Sequence, residues 1–249
     1  MRDRAAFLRP IAHRGLHDAA KGIIENTAAA FEAAIARGYG IECDVRPAAC
    51  ATPMVFHDLT LDRLVEAEGP IARHEAATLK RLPYRNVKGA MLDLAELFEL
   101  VGGRVPLLIE IKSEWEAPDA RYLNAIAKAA QSYKGPVALM SFDPAVMTGI
   151  RELAAEIPRG IVSGQFAADC WWRDQLGPQR AHDLSNLLES GPAAPDFYAY
   201  DVNALPTPVT RFAREVEGLP LFTWTVRSEE QRATAARWAD APIFEGYEP

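Results

Sequence analysis

The sequence predicts an α/β chain closed into a (β/α)8 TIM barrel, and three observations predict it. Apolar runs of strand length alternate with helical patterns from one end of the chain to the other. The strand-like runs number eight, the count that closes a parallel sheet into a barrel. Polar and charged residues gather at the C-terminal ends of those runs, where a barrel carries its active site. An open doubly wound sheet is the competing architecture, but its usual mark, a glycine-rich turn after the first strand, is missing.

The strand runs are residues 10–14, 40–45, 105–112, 136–142, 159–163, 197–201, 219–226 and 242–245. Helical patterns cover 27–37, 92–101, 119–132, 144–155, 181–188, 208–216 and 228–238. The first helix has Asn26 or Thr27 as its cap, Phe31, Ala34 and Ile35 on one face, and Gly38 just past its end. The eighth strand run falls at the C-terminus, leaving no room for a helix after it. One stretch breaks the alternation. Residues 47–90 hold a short extended piece at 53–57 and then mixed polar sequence with His74, Pro83 and Gly89. That is too long for a connecting loop and too patterned for disorder, so it reads as a small insertion after the second strand, lying over one end of the barrel. No repeat, low-complexity tract or interdomain linker interrupts residues 1–249, which read as one domain.

Composition excludes several classes. Of 249 residues, 49% are apolar and 24% charged, which is ordinary for a globular chain with a full core. A net charge of -7 without a Lys/Arg run argues against a nucleic-acid partner. No apolar stretch approaches membrane-spanning length, and the first ten residues have charges but no apolar signal core, so no stable membrane insertion is expected. Cys43, Cys50 and Cys170 lack metal-type spacing and read as reduced thiols of a cytoplasmic protein.

The chemistry starts at residues 40–46, Gly-Ile-Glu-Cys-Asp-Val-Arg. On a strand Glu42 and Asp44 face one side, while Ile41, Cys43 and Val45 face the other. Two adjacent carboxylates repel and resist burial. Either the strand is half-exposed and the pair solvated, or a cation lies between them. Glu110 and Lys112 share a face of the third strand in the same way, and in a barrel Glu110 becomes a third carboxylate opposite the first two. Three carboxylates make a hard, open site suited to Mg²⁺ or Ca²⁺, or to Mn²⁺, more than to Zn²⁺. Arg14 and Lys112 add positive charge that fits a phosphate. His13 and His57 exchange protons near neutral pH. Together these groups describe phosphoester cleavage.

These motifs, in this order, resemble the glycerophosphodiester phosphodiesterase family. The family pattern stands here as His13-Arg14-Gly15, Ile24-Glu25-Asn26-Thr27, Glu42-Cys43-Asp44, His57-Asp58 and Glu110-Ile111-Lys112, with Phe222-Thr223-Trp224-Thr225-Val226 as a later family-like segment. The resemblance spans residues 11–246. It implies a barrel and one divalent cation held by Glu42, Asp44 and Glu110. It also implies His13 and His57 as the acid–base pair, Arg14 and Lys112 at the phosphate, and Glu25 in support. The implied reaction is hydrolysis of a glycerophosphodiester to glycerol 3-phosphate and an alcohol. The chain departs from the pattern at Ile24, where the family has proline, and at Cys50-Ala51, where it has Asp-Gly in the turn that leads to His57.

Trp224 is the aromatic expected to line the substrate pocket, with Phe142 a weaker candidate. His17 lies close enough to the His-Arg-Gly turn to reach the site, while Asp58 and Asp201 read as caps. The adjacent Trp171 and Trp172, after Cys170, suggest loop packing or a homodimer contact, or else an apolar rim for a lysophospholipid, cleaved in the lysophospholipase D sense. A barrel that binds phosphodiesters without catalysis is the remaining alternative. It would lack a metal ligand or a histidine, and here all are present.

Overall fold

The computed structural model describes residues 4–85, 87, 89–166 and 173–249. Eight parallel strands form a closed barrel. They are β1 (Ile11–Ala12), β2 (Gly40–Pro47), β4 (Leu107–Ile111), β5 (Val137–Ser141), β6 (Arg159–Ser163), β7 (Phe197–Asp201), β8 (Leu221–Val226) and β9 (Ala241–Phe244). Closure is made by the shortest strand. Ile11 and Ala12 pair with Ile243 and Phe244 on one side and with Gly40 and Ile41 on the other. The ninth strand, β3 (Pro53–Val55), runs antiparallel on β2 outside the ring.

The helices are α1 (Arg4–Phe7), α2 (Ala28–Ala36), α3 (Ala76–Leu79), α4 (Leu94–Val101), α5 (Ala120–Ser132), α6 (Pro144–Leu153), α7 (Arg173–Ser185), α8 (Pro208–Arg211) and α9 (Glu229–Trp238). Side chains from Thr27, Asp93, Asp119, Asp143, Thr207 and Ser228 cap six of them, each accepting a backbone N–H of the first turn. Most boundaries fall within a few residues of the sequence reading, and the largest difference is at α7. The expected helix at 181–188 begins eight residues earlier, at Arg173, and ends at Ser185. Gly177 and Pro178 break it in two: Gly177 leaves helical geometry (φ 69°, ψ 161°) and Pro178 restarts the second piece.

Period-two alternation sorts the strands into two layers. Ile41, Cys43 and Val45, with Leu107, Ile109 and Ile111, pack outward against the helices. Inward-facing Leu108, Ala138, Met140, Val162, Ala199, Phe222 and Ile243 fill the barrel floor, and Phe7 from α1 seals it from below. Gly160 is needed in that floor, because a Cβ there would lie 2.2 Å from the Phe197 ring. Above this apolar floor the inward positions turn polar: Glu42 and Asp44 on β2, and Glu110 on β4.

The stretch after β2 has its own apolar cluster of Met54, Phe56, Leu61, Val65, Ile71, Leu79, Tyr84 and Met91. Its first turn, at Cys50-Ala51, keeps a left-handed residue without glycine: Ala51 sits at φ 63°, and its N–H donates to the Ala48 carbonyl at 2.8 Å. The departure from Asp-Gly is therefore met by a strained alanine in an ordinary tight turn, and the hairpin pairs Pro47 with Pro53 in register.

Candidate active site

The residues singled out from sequence converge at the C-terminal mouth of the barrel. His13, Arg14, Glu42, His57, Glu110, Lys112 and Trp224 line one cavity of about 250 Å³, with Met140, Phe142, Val162 and Ile243 on its apolar side. Asp44 is buried beside them, and Glu25 lies one contact further out. Trp224 meets Phe142 edge-on, ring centres 5.2 Å apart, and its indole N–H donates to the Ala199 carbonyl at 3.2 Å.

Local backbone explains the motifs. Arg14 and Gly15 turn the chain sharply after β1 with φ of 55° and 78°. A side chain at Gly15 would collide with Ala30 of α2 at 2.9 Å, so the His-Arg-Gly turn sits directly on that helix. The turn aims the Arg14 N–H at Glu42 Oε2, 2.9 Å away. In the Glu-Asn-Thr segment each residue has a separate task. Glu25 accepts from Arg14 at 2.7 Å, Asn26 donates its side-chain amide to Asp44 at 2.8 Å, and Thr27 caps α2.

Glu42, Asp44 and Glu110 each offer a carboxylate oxygen within 4.8 Å of the others, all three buried. Lys112 reaches Asp44 at 2.8 Å and Glu110 at 2.6 Å. Arg14 Nε stands 3.3 Å from Asp44 as an ion pair without hydrogen-bond geometry. Burial would raise the Asp44 carboxyl, but the charges of Lys112, His57 and Arg14 hold it well below the usual carboxylate range. At Glu42 the backbone N–H and the charge of Arg14 pull the same way but are outweighed. Burial, and then the charges of Asp44 and Glu110, push its carboxyl well above the usual range. A crowded carboxylate that accepts from a backbone amide, that of Arg14, is a ligand suited to a cation.

Both histidines are oriented by a carboxylate, and sequence reasoning missed both partners. His13 Nδ1 and Glu245 Oε2 are 2.5 Å apart, and Arg227 grips both oxygens of that carboxylate, donating from Nε to Oε1 at 3.2 Å and from Nη2 to Oε2 at 3.0 Å. Burial alone would raise the Glu245 carboxyl, yet the hydrogen bonds from His13 and Arg227 keep it well below its usual range. The carboxylate is therefore ionised and His13 Nδ1 carries the hydrogen, leaving Nε2 to face the cavity, 3.9 Å from Glu42. Burial lowers the His13 pKa despite the Glu245 hydrogen bond. His57 Nδ1 donates to Asp58 at 2.8 Å, and Arg63 clasps Asp58 at 2.6 and 2.9 Å. Asp58 is thus the partner of His57 and not the cap expected from sequence, whereas Asp201 does cap, accepting from the Asn203 N–H. Arg46 secures the His57 peptide, donating to its carbonyl at 2.6 Å. His17 reaches within 3.9 Å of Glu245. Cys170, Trp171 and Trp172 lie outside the described residues. The adjacent His57-Asp58 pair was a readable signal for one arm, whereas nothing local marks Glu245, 232 residues from His13.

The model of the glycerophosphoryl diester phosphodiesterase family matches residues 13–244. The chain belongs to that family. A glycerophosphodiester phosphodiesterase of Caldanaerobacter subterraneus subsp. tengcongensis is 27% identical over 231 residues, covering 88% of this chain and 86% of that protein. Among solved structures, an Oleispira antarctica phosphodiesterase in complex with the product sn-glycerol-3-phosphate superposes with TM-score 0.73 at 20% identity, over 95% of this chain and 92% of that one. The Thermotoga maritima glycerophosphodiester phosphodiesterase gives TM-score 0.71 at 23% identity, over 95% and 93% of the two chains. These likenesses carry the barrel fold, and membership in the family carries glycerophosphodiester phosphodiesterase activity. Among the described residues, no helix is long and apolar enough to cross a membrane.

Proposed function

We propose that this one-domain barrel, with its insertion at 47–90, hydrolyses small glycerophosphodiesters in the cytoplasm to glycerol 3-phosphate and an alcohol, using His13 and His57 as a proton-exchanging pair beside a cation site. The observation that carries this reading is the placement of two carboxylate-oriented histidines and two cationic side chains around three buried carboxylates in one cavity.

Glu42, Asp44 and Glu110 would hold one divalent cation, Mg²⁺ or Ca²⁺, with Mn²⁺ also suited to oxygen ligands. The chemistry such an ion supplies when bound is polarisation of the phosphate oxygens. Lys112 and Arg14 bind and orient the phosphate. His13, kept neutral by burial, accepts the proton of the attacking hydroxyl through Nε2. A new P–O bond forms as the P–O bond to the leaving alcohol breaks, and protonated His57 gives its proton to that alkoxide. Solvent then takes the proton from His13 and supplies one to His57, which resets the pair. The same pair serves whether water attacks or the substrate's own glycerol hydroxyl does so first. Glu25 supports the site through Arg14. Trp224 and Phe142 hold the carbon face of the glycerol and exclude water.

The cavity, about 250 Å³, suits a glycerol phosphate group. Free Cys43 and Cys50 suit a reducing compartment.

The test is release of glycerol 3-phosphate from glycerophosphocholine and glycerophosphoethanolamine by metal-stripped protein, with Mg²⁺, Ca²⁺ or Mn²⁺ restored singly. Turnover only with metal is expected. Silence with every ion and both substrates, followed by turnover of a lysophospholipid, would transfer the reading to lysophospholipase D chemistry. Silence there too, with binding retained, would leave a phosphodiester-binding barrel.

A further inference from the structure

Arg63 is absent from the residues that the motifs single out, yet it ties together the two halves of the site. We infer that Arg63 is a positioning residue that fixes His57 and Arg14 relative to one another. The inference rests on the proposed reaction for the meaning of those two residues.

The geometry is specific. Arg63 Nε and Nη2 grip Asp58 at 2.6 and 2.9 Å, while Nη1 and Nη2 grip Glu25 at 3.0 and 2.7 Å. One planar guanidinium thus makes two bidentate contacts with two carboxylates. Each carboxylate then passes the constraint to a group facing the cavity. Asp58 Oδ1 holds His57 Nδ1 at 2.8 Å, and Glu25 Oε1 holds Arg14 Nη1 at 2.7 Å. Asp58 and Glu25 come from different parts of the chain, the insertion and the loop before α2, and Arg63 itself belongs to the insertion. Without the clasp, two carboxylates would face each other across the gap and each would be free to turn its partner. Both carboxyls are held below their usual range. Burial opposes this in each; at Asp58 the hydrogen bonds from His57 and then from Arg63 outweigh it, and at Glu25 the hydrogen bonds from Arg63 and then the charge of Arg14 do.

A purely structural part is not what this placement suggests. The Arg63 side chain is 48% exposed, and exposed ion pairs contribute little to folding. A lysine cannot replace it, because a point charge offers no fork to grip both carboxylates. Because misplacement of an oriented group by a small distance is costly, Arg63→Ala is expected to lower kcat about 10- to 100-fold through His57 and to raise KM through Arg14. Its Tm should stay within about 3 °C of the parent. Arg63→Lys should be nearly as impaired, and millimolar ethylguanidinium should restore part of the rate to Arg63→Ala but not to Arg63→Lys.

The deciding experiment compares Glu25→Gln, Asp58→Asn and the double variant, each with Arg63 present and with Arg63→Ala. If Arg63 couples the halves, the double variant loses much less than the product of the single losses, and that coupling vanishes without Arg63. Independent losses in both backgrounds would overturn the inference, as would full kcat in Arg63→Ala. Impairment tracking a fallen Tm, without guanidinium rescue, would overturn it in favour of a structural role. A substrate-free readout separates this from failure of the phosphodiesterase reading. In ¹H–¹⁵N spectra the His57 Nδ1–H, held by Asp58, should give a protected, slowly exchanging proton signal in the parent that weakens or is lost in Arg63→Ala; an unchanged signal would overturn the inference whatever the substrate.

Discussion

The two histidine arms of the site reach the same carboxylate-held arrangement by opposite constructions. His13 takes its carboxylate from Glu245, 232 residues away, and the two meet only because β1 closes the barrel against β9. His57 takes its carboxylate from the next residue, Asp58, on an insertion outside the ring. The first arm is part of barrel closure, with the His13 side chain 13% exposed, whereas the second stands nearer the solvent, with His57 at 30%. One fold can therefore place matching chemical groups with a rigid wall on one side and an added flap on the other. The wall arm should be insensitive to local sequence and sensitive to barrel integrity, and the flap arm the reverse.

The largest expected effect removes what both arms serve. Asp44→Asn should cost about 10³-fold or more in turnover, with calorimetry showing weakened divalent-ion binding. Because burial and the charges of Asp44 and Glu110 raise the Glu42 carboxyl well above the usual range, ion binding should displace the proton that this shift favours, and affinity should rise with pH. Calorimetry in buffers of different ionisation enthalpy measures that proton, and no proton release would contradict the fit of the cluster to a cation.

Next come the arms themselves. His13→Ala and His57→Ala should each lower kcat about 10²- to 10⁴-fold while ion binding persists. A variant retaining near-full rate would remove that histidine from the acid–base pair and end the symmetry between the arms.

The orienting carboxylates sharpen the contrast. Glu245→Gln and Asp58→Asn should each cost about 10- to 100-fold in kcat, but only Glu245→Gln should clearly lower Tm, because its partner closes the barrel. The sign with pH follows from the Glu245 carboxyl, which is lower in the folded chain than in the unfolded one. Its contribution to stability is present above the ordinary glutamate pKa of about 4.3 and is lost as pH falls through the folded value. The Tm gap between Glu245→Gln and the parent should therefore be full at pH 7 and shrink in acid. A gap independent of pH would mean that packing, not charge, links the C-terminal segment to His13.

The smallest expected effect lies at the foot of the flap. Ala51→Gly would relieve a left-handed alanine, worth roughly 1–2 kcal/mol. It would also lose roughly 0.8 kcal/mol of buried methyl and roughly 0.5–1 kcal/mol in backbone entropy. The terms nearly cancel, so thermal unfolding should move by less than about 3 °C, with kcat unchanged.

What could be read from the sequence was what period two and adjacency encode. Glu42 with Asp44, and Glu110 with Lys112, share faces because strands alternate, and burial of the opposite faces left one register available. The strands at 159–163 and 197–201 were bounded to the residue. Hidden were the contacts that only closure creates. Glu245 follows an unremarkable Ile-Phe at the end of β9, and Arg63 lies among polar residues of the insertion. Neither carries a periodic signal, and each acquires its role from a partner distant in the chain. Asp58 was misread for a different reason: a carboxylate beside a histidine and one capping a turn look alike until the rotamer is known.

The stopper that Phe7 makes beneath the floor has a kinetic corollary. A barrel sealed at one end is a well with a single mouth, so substrate enters and both products depart by the same route. Glycerol 3-phosphate leaving that mouth occupies the space the next diester needs, and the product should inhibit competitively, slowing its own release as it accumulates.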